Sequence, residues 1–118
     1  MEAVEKLCKI ANPKIQTRIV QADFSNAKRP KEKDVLAFYE DLKKKLEDLD
    51  IAILVNNAGV MYTGLFSTDG AKNTKWKDII DVDVLHLAMM NSHFQDKLLK
   101  RQRDSKGKVR SAIINVSS

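Results

Sequence analysis

Residues 51–60 read IAILVNNAGV. Ile51 to Val55 are apolar without a break; Asn56 and Asn57 follow, then the small pair Ala58-Gly59. An unbroken apolar run of this length fits a strand covered on both faces, as the strands of a parallel sheet are. Two amides at its tip pose a chemical question. An amide at a strand end bonds neighbouring backbone and stiffens the rim, and Ala58-Gly59 lets a flat ring or a sugar approach the main chain closely. The plainer reading of the same residues is an Asn-Asn turn.

Upstream, Val35, Phe38, Tyr39, Leu42, Leu46 and Leu49 fall at helical spacing, and Asp34 is the expected N-cap. Before them the polar stretch SNAKRPKEK reads as a loop. TRIVQADF (17–24) reads as a strand, and residues 2–11 as a helix that Asn12-Pro13 stops. Downstream, residues 59–70 form a loop in which Met61, Tyr62, Leu65 and Phe66 either line a pocket or fill a core. A long helix is predicted from about Thr74 to about Arg103, apolar on more than one face. One face suits a sheet; the other suits a further helix, including one from a second subunit. DSKGK is a turn with Gly107 placed for left-handed backbone, and SAIINVSS is the last strand.

Strands that alternate with helices imply parallel pairing and right-handed crossovers. The fold class is α/β, a doubly wound parallel sheet. Such sheets take ligands beyond the C-terminal tips of their strands. Asp23-Phe24, Asn56-Asn57 and Ser117-Ser118 are all polar strand ends, expected at one rim. Three coincident ends favour a site over a simple turn.

Composition sets wider bounds. The chain has 118 residues, 43% apolar, with 21 basic and 16 acidic side chains and a formal net charge of +5. That suits one domain spanning 1–118 and a mild attraction for anions, and does not argue for nucleic acid. A single cysteine, Cys8, excludes an internal disulfide and a thiolate metal cluster. No run reaches the ~20 apolar residues of a membrane span, and MEAVEKLCKI does not read as a signal peptide. A reducing, cytoplasmic setting is expected for the residues given.

ADFS, VNNAG and IINVSS, in this order and on strands, resemble the short-chain dehydrogenase/reductase family. NPKIQTRIVQADFS and ILVNNAGVMYTG look most like its branch of very-long-chain 3-oxoacyl-CoA reductases and 17-beta-hydroxysteroid dehydrogenases. The resemblance implies a Rossmann-like domain that binds NADP or NAD. It implies hydride transfer between nicotinamide and a carbonyl or hydroxyl of a lipid substrate, 3-oxoacyl-CoA or steroid. Asp23 matches the aspartate at the adenine amino group, with Phe24 beside the ring through its backbone. Asn56, Asn57, Ala58 and Gly59 match the segment that lines the adenine-ribose side. Ser118 matches the catalytic serine that bonds the substrate carbonyl while a tyrosine donates the proton. Members of the narrower branch are often anchored to the endoplasmic reticulum.

The departures are equally specific. No TGxxxGxG turn, which would seat the pyrophosphate at a helix N-terminus, occurs in these residues, and with it goes the selector between NAD and NADP. No Tyr-x-x-x-Lys pair follows Ser118. Tyr39 and Lys43 have that spacing but lie far upstream on a charged helix, a chance match. Where the family has asparagine in a DVNV-like stretch, this chain reads DVDV, so Asp83 stands in the proton-relay position without an amide donor. The chain therefore reads as an incomplete domain lacking its first strands and C-terminal part. In the family's sheet two strands separate the one ending at Asp23 from the one ending at Val55, a gap of ~14 Å at the usual strand spacing. Either those two strands pair directly or the hole stays open. The expectation is a chain that alone neither binds dinucleotide well nor turns over. The alternative is a non-catalytic fragment acting through protein contacts, with a homo-oligomer through helix 74–103.

Other constellations carry less. His86 and His93 lie seven apart without further ligands and read as structural or solvated rather than metal-binding. The run KLLKRQRDSKGKVR lacks aromatic residues for base stacking and spans a helix end, where cations suit the dipole. It reads as a solvated face, not a nucleic-acid site.

Overall fold

The computed structural model describes residues 2–25, 31–63 and 75–117. Helix α1 spans Glu2–Ala11 and α2 spans Glu32–Lys45. Strand β1 is Ile53–Asn56. Helix α3, Lys75–Ile79, runs through a π-helical segment, Ile80–Leu85, into α4, His86–Asp104. Strand β2 is Ala112–Asn115. The two strands pair in parallel, Ile53 with Ala112 through Asn56 with Asn115.

The expected strand at 17–24 is not one. It has no ladder partner among the described residues, and a strand is held by the ladder its neighbours provide. The segment still lies on the core: Val20, Ala22 and Phe24 pack against buried Tyr39, Leu42, Met90 and Phe94. Side chains fix it in place of backbone. Arg18 makes two bonds to Asp48, at 2.6 and 2.7 Å, and so ties the segment to the turn after α2. Of the two arrangements the sequence allowed, direct pairing with β1 does not occur.

Helix α2 starts earlier than its apolar spacing suggests. Its N-cap is Lys31, with no side-chain cap, and Asp34 sits within the first turn, its own N–H bonding the Lys31 carbonyl at 3.0 Å. There the carboxylate favours the helix dipole instead of capping it. Tyr39 and Leu42 are the buried pair that faces α4.

Helix α4 buries His86, Met90, Phe94 and Leu98, one every fourth residue, on a single stripe toward α2 and the sheet. Two members of the basic run act as pins. Lys97 donates to the carbonyls of Leu46 and Glu47 at 2.9 and 2.7 Å, satisfying the end of α2. Arg101 bonds Asp50 at 3.0 Å and the Arg110 carbonyl at 2.9 Å, so it joins the approaches to both strands. The solvated-face reading fails for these two. Helix α4 ends in a left-handed turn at Lys106 and Gly107, φ 54° and 77°. The Gly107 amide bonds the Gln102 carbonyl and the Lys106 amide bonds the Arg103 carbonyl, which closes the last turn.

Candidate functional site

Parallel pairing in this register brings the tips of β1 and β2 to one rim. A cleft of about 400 Å³ opens there, within the usual range of small-molecule sites. Its walls are Asn56 to Met61 from β1 and its loop, Asp83, His86 and Leu87 from the helix, and Val116-Ser117 beyond β2.

The paired amides divide the labour. Asn56 is buried, 4% exposed, and its Nδ2 donates at 2.8 Å to Asn91 Oδ1 on α4 and at 2.8 Å to Asn115 Oδ1 on β2. One side chain thus fastens both strands to the helix beneath. Asn57 is exposed and faces the cleft. Ala58 and Gly59 leave the adjoining backbone uncovered. A Cβ on Gly59 would lie 3.5 Å from Asp83 Oδ1, ordinary contact, so glycine here serves access more than fit.

Asp83 lies in the π-helical segment. Its Oδ1 accepts the Val60 N–H at 2.9 Å, linking the loop after β1 to the helix. A carboxylate fills that acceptor role without an amide donor. One-turn π insertions often mark functional positions, because they rotate a side chain out of the regular helical stripe.

His86 is the residue that sequence reasoning missed. It is 3% exposed, and neither ring nitrogen has a hydrogen-bond partner among the described residues. Its ring lies 3.7 Å from that of Phe24, centroid to centroid, at 35°. Burial pulls its pKa below the ordinary value, holding the imidazole neutral. The signal was its four-residue spacing from Met90, Phe94 and Leu98, which puts it on the core stripe.

The sequence-derived site residues separate into groups. Asn56, Asn57, Ala58, Gly59 and Asp83 come together at the cleft, with Ser117 beside them. Ser118, the expected catalytic serine, lies outside the described residues, as do Leu65 and Phe66. Phe24 sends its ring into an aromatic cluster with Phe38, Tyr39 and His86. Asp23 is not in the cleft lining; its Oδ1 accepts the Ser25 N–H at 3.0 Å. Tyr39 is 1% exposed in the core, which agrees with a chance spacing to Lys43. No group of three or more metal-ligating side chains occurs among the described residues, and no helix among them is long and apolar enough to cross a membrane.

These residues fit one end of a dinucleotide. Exposed Asn57 and the uncovered Ala58-Gly59 backbone suit a ribose or a ring edge. Nothing in the cleft lining supplies the run of backbone N–H groups that a pyrophosphate needs.

The family described as short chain dehydrogenase matches residues 2–118. An inactive hydroxysteroid dehydrogenase-like protein 1 from Pongo abelii is 30% identical over 106 residues, 89% of this chain and 27% of its own length. Hydroxysteroid dehydrogenase-like protein 1 from Gallus gallus gives the same figures. A very-long-chain 3-oxoacyl-CoA reductase from Coccidioides immitis (strain RS) is 31% identical over 103 residues, 87% of this chain and 28% of its own length. The chain spans little more than a quarter of these relatives. No solved structure matches it.

Proposed function

This chain belongs to the short chain dehydrogenase family, and from that premise we propose that its cleft is the nucleoside end of a nicotinamide-dependent carbonyl-reducing site. The substrate class is a bulky lipid ketone, 3-oxoacyl-CoA or steroid, as the names of its relatives suggest. The observation that carries the reading is the meeting of Asn56–Gly59, Asp83 and Ser117 at the shared tips of two parallel strands.

NADP or NAD, when bound, supplies the hydride. The chain's own residues have narrower tasks. Asn56 keeps the rim rigid by holding both strands to α4. Asn57 and the Ala58-Gly59 backbone meet the sugar. Asp83 fixes the loop through Val60. Ser118, by its match to the family, bonds the substrate carbonyl. A proton donor on the Tyr-x-x-x-Lys pattern and a seat for the pyrophosphate must come from other residues. The isolated 118 residues are therefore expected to bind dinucleotide weakly and to be inactive.

Two calorimetric titrations test this. NADPH and NADH added to the isolated chain should give no binding tighter than millimolar. A chain extended with the neighbouring coding sequence, carrying a glycine-rich turn and Tyr-x-x-x-Lys, should bind one of them at micromolar level and consume it with a 3-oxoacyl-CoA or a ketosteroid. Tight binding by the isolated chain would overturn the claim of incompleteness. An extended chain that binds neither would overturn the oxidoreductase reading. The resemblance to a protein named inactive favours a second reading, a non-catalytic family member, and an extended chain that binds cofactor without consuming it would establish that one.

A further inference from the structure

Two apolar surfaces have no partner among the described residues, and they complement one another. The first is a face of the sheet. Paired residues of a parallel ladder share a face and successive residues alternate. Leu54 and Asn56 point to α4 and the core. Ile53, Val55, Ile114 and Val116 therefore stand together on the opposite face, 58, 52, 48 and 51% exposed. The second surface is on α1. Val4, Leu7 and Ile10 lie along one side of that helix at 62, 64 and 78% exposure, and α1 packs on none of the other described elements.

Each surface lacks what the other offers. Parallel sheets occur with both faces covered. A ten-residue helix is marginal in water without an apolar seat. Glu5, Lys6 and Lys9 occupy the opposite side of α1, with Lys9 paired to Glu5 at 2.7 Å, so seating the apolar side leaves these charges in water. The seven side chains expose on the order of 800 Å² per copy, so a reciprocal contact would bury on the order of 1,600 Å², the size of a standard stable interface.

We propose that two copies of this chain associate by exchanging α1, each helix lying across the open sheet face of the other. Two-fold symmetry makes the two contacts equivalent. The inference rests on packing alone and is independent of the oxidoreductase reading. It also moves the interface away from helix 74–103, whose stripe of His86, Met90, Phe94 and Leu98 is spent on the chain's own core.

Sedimentation equilibrium of the chain and of three variants tests it. The unaltered chain should be a dimer at tens of micromolar. Leu7→Glu on α1 and Val55→Lys on the sheet should each weaken association at least tenfold. Leu99→Glu, exposed on α4, should leave it unchanged. Mixing Leu7→Glu with Val55→Lys should restore dimers, because the intact helix of one meets the intact sheet of the other. All these side chains are half exposed or more, and circular dichroism checks that each variant folds; Val4→Glu and Ile53→Lys replace any that does not. A monomer, a dimer indifferent to the variants, or variants that fail to recover on mixing would each overturn the proposal. So would growth into open-ended species, or a Leu7→Glu variant that loses thermal stability as a monomer, which would mean α1 lies on its own sheet.

Discussion

Asn56 does the work of a rivet at the rim. Its amide bonds both Asn91 and Asn115, and the two strands share no other side-chain link to α4 of this kind. Asn56→Leu keeps the volume but strands two polar partners, and should lower unfolding stability by about 2 kcal/mol in urea titration. His86 sets a pH dependence. Its pKa is lowered by burial in the folded chain, so folding favours the neutral ring. Its contribution is fully present above the unfolded value of ~6.5 and drains as pH falls through that value toward the lower folded one. Melting temperature should therefore drop between about pH 7 and 5, more steeply than in His86→Phe, which keeps a ring against Phe24 without a proton site. Equal slopes would show that His86 is not the group responsible.

Among the elements, the end of α4 stores a small local cost. Lys106 holds a left-handed backbone at φ 54°, which a side chain disfavours, and its amide still closes the helix. Lys106→Gly should raise stability by about 1 kcal/mol. The elements also show what the sequence could and could not reveal. Apolar spacing located α1, α2, the β1 run and the long helix because burial imposes a period on each. VNNAG and the serine ending marked the rim because polar residues at strand tips have few other uses. The π segment was invisible, since one extra residue in a turn leaves no signature in spacing. The strand at 17–24 was misread because its composition is strand-like, whereas strand structure needs a partner that composition does not carry. Lys97 and Arg101 looked like solvent-facing charge because their acceptors are carbonyls and a carboxylate some fifty residues away.

At the scale of the molecule, the radius of gyration is 17.2 Å, against roughly 13.5 Å for a compact domain of this length. The excess agrees with a two-stranded sheet bare on one face and a helix seated on nothing. Hydrogen exchange should divide the chain accordingly. Amides of Met90 to Leu98 and of the β1–β2 ladder should be the slowest, and those of residues 16–22 should exchange at least a hundredfold faster, since no ladder holds them. Uniform protection across 16–22 would mean that the segment is paired after all.

Arg18 clasps Asp48 through its side chain while its own main chain joins no ladder. A protease reads extended main chain and ignores what the side chains grip from the flank, so trypsin should nick this stretch well before the helices. The severed amino-terminal piece would take α1 with it and leave the Asn56 rim intact. A brief digest would thus yield, without any cloning, a body that keeps the cleft and has shed its most adhesive surface.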